Sequence, residues 1–373
     1  MRTPTNHDFD PPELVAERTM SVHAGGDVIY QSAFTPDTGQ LVRLVEDSLN
    51  DEQTFTLSER GLLECGRVRS PVPETIDLKI TDKCPMGCEY CYMDSTPRAP
   101  HADLGEVLGW LDAFDQPPYQ IAIGGGEPTI HPDFVDFLEA VLARGIVPSY
   151  TTAGVNLDDE IIGATNTYCG GVAITYHPHQ GIDWFKERYH RLSEELDVQV
   201  NIHLLVDCDI MENLDDVVHI LREDDTIVLL AYYQDVGRAD ADRLPPQEVY
   251  HEELPQNVRW LSDRGVSFAF SEGLMPWVMS RPELPMHHRF MMSSEGIFNC
   301  YVDMDGTMWP SSFTTHSFKA QEDGTMQEKW SSMGSSYGRL AHGGACSDCE
   351  HAPFCITPQP EHYNLCAYAP HNP

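Results

Sequence analysis

From residue 75 onward, short apolar runs alternate with stretches whose apolar residues recur every three to four positions, and this alternation restricts the chain to an α/β architecture. The runs fall at 76–81, 120–123, 147–151, 171–176, 198–206 and 226–232. Between them, Leu104, Val107, Leu108 and Leu111 mark one helical face. Phe134, Phe137, Leu138, Val141 and Leu142 mark a second, which stops at Gly145, and Leu214, Val217, Val218 and Leu221 mark a third. Strands joined by helices pair in parallel, and parallel sheets bind ligands at the carboxyl ends of their strands. Chemistry-bearing residues are therefore expected at those ends.

The first such end carries Thr81-Asp82-Lys83-Cys84-Pro85-Met86-Gly87-Cys88-Glu89-Tyr90-Cys91-Tyr92, with three thiols spaced C-x3-C-x2-C. A loop of this kind can wrap an iron–sulfur cube, giving three irons a thiolate each and leaving the fourth without a protein ligand. An open iron can take the amino and carboxylate groups of a methionine-derived cofactor. The second run ends in Ile121-Ala122-Ile123-Gly124-Gly125-Gly126-Glu127-Pro128. There the glycines admit close backbone approach, and Glu127 offers charge to an ammonium. Taken singly, the thiols also suit a zinc knuckle and the glycines an ordinary strand-end turn, but neither alternative accounts for both elements.

Together the two elements resemble the signature of the radical S-adenosylmethionine (radical SAM) enzymes, with Tyr90 as the aromatic residue before the last cysteine. The resemblance implies a partial (β/α)6 barrel and a [4Fe-4S] cluster with one open iron on Cys84, Cys88 and Cys91. It also implies S-adenosylmethionine and an electron donor such as a flavodoxin or ferredoxin. The implied reaction is reductive cleavage of S-adenosylmethionine to a 5′-deoxyadenosyl radical, followed by hydrogen abstraction from a substrate. Tyr90, Gly125, Gly126, Glu127, Thr152, Thr175, Asn201 and Arg238 are the expected cofactor contacts. Ala153 stands where the family often has Asn, and Gly237-Arg238-Ala239 looks like its Gly-Arg-Ala turn. His203, on the same strand as Asn201, is a further candidate to touch cofactor or substrate. Read as single residues, a strand-end Thr or Asn serves as often to cap a turn. His177, His179, His287 and His288 can face a substrate or a metal, but loop histidines are usually plain surface residues, and that is the expectation here.

After residue 276 the alternation stops, and 301–310 reads as a hairpin turning at Asp305-Gly306. Cys346, Cys349, Cys355 and Cys366 then form a four-thiol set whose spacing suits either zinc or iron–sulfur. In company with the first loop the set resembles the SPASM extension of radical SAM enzymes, which implies a second, auxiliary [4Fe-4S] cluster. Ser311 and Gln359 stand where that pattern has two thiols of one auxiliary cluster, so this cluster is expected to be lost and the other kept. Cys300, where the missing cluster has its first thiol, and Asp303 are candidates for a catalytic role. An inert buried thiol is the plain alternative for Cys300. The expected division is an N-terminal extension at 1–74, a barrel at 75–275 and an auxiliary-cluster domain at 276–373. The extension carries a hairpin over 28–30 and 41–45 and a possible third strand at 54–57.

Charge narrows the partners. The chain has 59 Asp+Glu against 23 Lys+Arg, a net charge of −36, and five of its basic residues are Lys. Such a surface disfavours nucleic acid and anionic membranes, and its self-repulsion is relieved by salt, which suits a salty cytoplasm. No apolar run approaches the length of a membrane span, and 11 cysteines, seven of them in two clusters at metal-like spacing, argue for a reducing, cytoplasmic setting. The SPASM resemblance suggests a peptide or protein side chain as substrate. Alternatives are a small metabolite, a nucleobase, or a non-catalytic iron–sulfur module that binds a partner or senses redox state.

Overall fold

The computed structural model describes residues 17–37, 39–46, 48–60, 62–64, 67–206, 210–231, 237–239, 245–246, 248–279, 281–285, 294–312 and 321–341. Cys65, Cys208, His287, His288, Gln359 and the four-thiol set Cys346, Cys349, Cys355 and Cys366 lie outside the described residues.

The chain begins with an antiparallel sheet of β1 (Arg18–Ala24), β2 (Asp27–Thr35) and β3 (Gln40–Val45). The expected hairpin is β2 and β3. The third strand is β1 and not 54–57, which lies within α1 (Asp51–Glu59). The alternation of Thr54-Phe55-Thr56-Leu57 suggested a strand, but Asn50 and Gln53 form a capping box that starts a helix. Burial then follows helical spacing: Gln53 and Leu57 are buried while Phe55 is exposed. A two-residue ladder of β4 (Leu63–Glu64) and β5 (Arg67–Val68) leads into the main sheet.

The main sheet is built from β6 (Thr75–Thr81), α2 (Leu104–Leu111), β7 (Gln120–Gly125), α3 (Phe134–Leu142), β8 (Val147–Thr152), α4 (Asp159–Tyr168), β9 (Gly171–Thr175), α5 (Ile182–Glu195), β10 (Gln199–Val206), α6 (Ile210–Ile220) and β11 (Thr226–Ala231). Each strand pairs in parallel with the next, as the alternation predicts. Two features exceed the six expected units. After α7 (Leu254–Asp263), the short β12 (Phe268–Phe270) adds a seventh parallel strand beside β11. Beyond α8 (Met275–Met279), β13 (Asn299–Val302) pairs in parallel with the free side of β6, setting Cys300 opposite Ile76, and β14 (Met308–Trp309) closes the antiparallel hairpin. The strand order is β12-β11-β10-β9-β8-β7-β6-β13-β14, so the sheet runs across residue 276. α9 (Met326–Ala341) follows, and its buried Trp330 lies under the Arg69 guanidinium, 4.1 Å from the ring centre.

Side-chain alternation sorts the two faces of the sheet. On β10, Val200, Ile202, Leu204 and Val206 are buried in the core, while Asn201, His203 and Leu205 alternate with them on the opposite, half-buried face. The N-terminal sheet covers the opposite end of the strands from the cysteine loop. Tyr30 stacks on Phe298 and Phe34 on Tyr119, and the buried Glu74 at the foot of β6 takes hydrogen bonds from Tyr30 and Arg43. No helix among the described residues is long and apolar enough to cross a membrane.

Candidate active site

At the carboxyl end of β6 the backbone leaves the sheet as the cysteine loop. Three kinds of contact hold it. Cys84 N–H donates to Thr96 O at 3.0 Å and Thr96 N–H to Asp82 O at 3.1 Å, closing the base of the loop on itself. Arg238 clamps it from outside: its guanidinium donates twice to Cys88 O at 3.1 Å, to Ser95 O at 2.9 Å and to Asp94 at 2.8 Å. Gly237 sits so close that a Cβ there would lie 2.4 Å from the carbonyl oxygens of both Cys91 and Tyr92, and its φ of +59° is one that side chains resist.

The glycine stretch at the end of β7 packs against the same loop. A Cβ on Gly125 would meet Thr81 O at 2.3 Å, and one on Gly126 would meet Lys83 O at 2.2 Å. Gly126 N–H and Glu127 N–H donate to those two oxygens at 2.7 and 2.9 Å. Close approach of backbone to backbone thus explains Gly125 and Gly126, whereas Gly124 faces open space. Glu127 is fully buried and does not line the cavity. Its carboxylate accepts from Thr129 Oγ1 at 2.6 Å, Thr152 Oγ1 at 2.7 Å and Ala153 N–H at 2.8 Å, which ties the end of β7 to the end of β8. These three hydrogen bonds give Glu127 a bracing role between the two strand ends.

Loop and strand ends enclose a cavity of about 450 Å³ lined by Cys84, Cys88, Cys91, Gly124, Gly125, Gly126 and Thr175, with Leu205, Val228 and Leu230 as apolar wall. Of the expected contacts, Tyr90, Gly125, Gly126, Thr152 and Thr175 line it, whereas Asn201 and Arg238 do not. Asn201 sits two residues too early on β10, and His203 takes the place in the wall. Cys300 lines the cavity, while Asp303 stands behind it in an ion pair with Lys79 at 3.2 Å.

The three loop cysteines carry no disulfide. Burial, opposed in Cys84 by a backbone hydrogen bond and reinforced by the neighbouring thiols, pushes Cys84 up to about 11 and Cys88 up to about 12. Such thiols ionise only when a metal supplies compensating charge. A single zinc ion holds each sulfur at about 2.3 Å, which gathers them tightly. Among the described residues the only group of three or more metal-ligating atoms all within 4.8 Å of one another belongs to Cys88, His177 and His179, so the three sulfurs are spread too widely for one ion. The donor set and its spacing fit a multi-iron cluster.

Several other cavity residues gave no sequence signal or were read as surface, whereas His203 was a candidate contact on the strand of Asn201. His177, expected to be a plain loop histidine, lines the cavity and is pulled down to about 4 by burial and then by His179. His203 is likewise pulled down to about 4 by burial. Asp77 of β6, Glu272 after β12 and Glu295 before β13 line the same cavity together with Cys300 and Ser311. Burial and then Glu272 push Asp77 up to about 6 and Glu295 up to about 8, and the Ser311 hydroxyl hydrogen-bonds Glu295. Asp77 and Lys79, two charges in an otherwise apolar strand, were the one signal that this face looks inward.

Comparison with known proteins agrees with this geometry. Residues 78–165 match the Radical SAM superfamily model. A PqqA peptide cyclase of Ruegeria pomeroyi is 31% identical over 100 residues, 25% of this chain and 26% of that protein, so the chain spans about a quarter of the curated relative. Streptococcus suis SuiB bound to S-adenosylmethionine superposes with a TM-score of 0.68 at 12% identity, covering 91% of this chain and 96% of that one. SuiB bound to its precursor peptide SuiA superposes with a TM-score of 0.62 at 12% identity, covering 80% and 84%. These solved structures share the fold of this chain, and the stretch that matches the Radical SAM superfamily, residues 78–165, contains both the cysteine loop and the glycine stretch.

Proposed function

We propose that the chain is a radical SAM enzyme acting on a side chain of a peptide or protein, with Cys84, Cys88 and Cys91 as its cluster ligands. The observation that carries this reading is the convergence of three spread sulfurs and the glycine-rich end of β7 on one cavity at the carboxyl edge of a parallel sheet. When bound there, a [4Fe-4S] cluster and S-adenosylmethionine supply a 5′-deoxyadenosyl radical, which takes a hydrogen atom from a C–H bond that no acid–base group can ionise.

The chain's own residues orient and enclose. Arg238 and Gly237 hold the loop at a fixed distance from the sheet, and Gly124 leaves room beside it. The Thr175 hydroxyl and the neutral His203 offer hydrogen bonds along the wall, while Leu205, Val228 and Leu230 exclude water from a reactive centre. The electron comes from a reductant of the flavodoxin or ferredoxin class. A peptide substrate is supported by two similar proteins, one a PqqA peptide cyclase and the other SuiB, solved with precursor peptide SuiA. The carboxylates Asp77, Glu272 and Glu295 in the cavity lining favour a substrate side chain carrying positive charge.

The test is to reduce anaerobically purified protein with dithionite in the presence of S-adenosylmethionine and to look for 5′-deoxyadenosine. Its formation is expected. Its absence from a fully reduced, iron-loaded sample would point to a non-catalytic iron–sulfur module.

A further inference from the structure

His177 follows β9 and precedes Pro178, and a residue before proline is confined to extended backbone. It has φ −117° and ψ 102°, and a one-turn 3-10 helix at Pro178–Gln180 locks the segment, with Gln180 N–H donating to His177 O at 3.0 Å. This conformation turns the imidazole back over the cysteine loop. Its Nδ1 lies 3.6 Å from Cys88 Sγ, within reach of a hydrogen bond to sulfur. Tyr90, two residues after Cys88, places its hydroxyl 3.2 Å from the same nitrogen and 3.5 Å from His179 Nδ1. If the Tyr90 hydroxyl donates to His179, its oxygen and the Cys88 sulfur share the single Nδ1–H of His177. No other side chain among the described residues hydrogen-bonds any of the three loop sulfurs.

Resting on the reading of Cys88 as a cluster ligand, we propose that His177 is a positioning residue that donates its Nδ1–H to the Cys88 thiolate and thereby makes the bound cluster easier to reduce. Reduction adds one electron and one negative charge to the cluster and its thiolates. A donor aimed at a ligating sulfur stabilises that extra charge more than it stabilises the oxidised form, so it raises the midpoint potential. No proton is transferred in this step. Tyr90 and His179 fix the ring so that the donor stays aimed at the sulfur.

The experiment is an anaerobic redox titration, followed by electron paramagnetic resonance, of the full-length reconstituted chain with iron and sulfide counted in each sample. Wild type is compared with His177→Phe, which keeps the ring shape without the donor, with His177→Gln, which keeps an N–H, and with His179→Phe. The expected result is equal iron loading throughout. The His177→Phe midpoint should fall by about 59 mV, a tenfold change in the ratio of reduced to oxidised cluster. His177→Gln should recover most of the shift, and His179→Phe should show a smaller fall. An unchanged midpoint in loaded His177→Phe overturns the proposal. So does loss of iron from both His177 variants, or recovery of a single zinc bound by Cys88, His177 and His179, since either makes the imidazole a ligand. A wild-type chain that takes up no iron and sulfide would instead remove the cluster reading on which the proposal rests.

Discussion

The two walls of the cavity are assembled in different ways. The sulfur wall comes from one loop, residues 84–91, supported by the strand end that follows at 124–126 and clamped by Arg238. The carboxylate wall is gathered from residues 77, 272 and 295, which meet only because β13 returns to pair with β6. A local wall can be rigid before the rest of the fold is complete, whereas the distant wall exists only once the whole sheet has closed. The first suits a metal group that needs fixed donors, and the second suits a substrate that must be chosen.

Variants separate the two walls, and the largest effect should come from the sulfur side. Cys88→Ala should abolish iron retention and 5′-deoxyadenosine formation altogether, because two thiolates cannot hold the cluster; iron analysis and product chromatography check it. Arg238→Ala removes the clamp without touching a ligand. It should lower cluster retention by roughly 10- to 100-fold, the usual cost of losing support behind a metal ligand, as read by chelator challenge. On the other wall, Asp77→Asn should leave iron content and cofactor cleavage without substrate unchanged. It should weaken binding of a lysine-containing peptide by about 10-fold, the usual scale for losing one charged contact, as measured by calorimetry.

The smallest effect is a pH dependence. Glu295 is pushed up to about 8 from an ordinary value of 4.5, so the folded chain prefers it protonated. The stability linked to this group is fully present below 4.5 and is lost as pH rises through about 8. Glu295→Gln should flatten that part of the stability profile in thermal unfolding of the metal-free chain. An unchanged slope would mean that Glu295 titrates normally and that the three carboxylates do not crowd one another.

How much of this was legible in the sequence follows from the same contrast. The cysteine loop and the glycine stretch were readable because the spacing of neighbouring residues carries their chemistry, and the parallel strands were readable because each is long enough to show its pattern. β12 has three residues, too few to show a period, and the pairing of β13 with β6 joins positions far apart in the chain. Asn201 and His203 share a face of β10, and only the depth of the cavity decides between them. His177 looked like a surface loop residue because the effect of Pro178 on its direction becomes visible only with the cysteine loop in place. The hydrogen bonds of Glu127 to Thr129, Thr152 and Ala153 gave no sequence signal, because two of these partners belong to the next strand and its end.

The central claim is that the early loop holds a cluster with one iron left open for S-adenosylmethionine. The most direct measurement is the paramagnetic resonance spectrum of the reduced, iron-loaded chain before and after S-adenosylmethionine is added. The account predicts a signal whose g-values shift on addition in wild type, and no such response in Cys88→Ala. A spectrum indifferent to S-adenosylmethionine, in protein with a full complement of iron and sulfide, would contradict it.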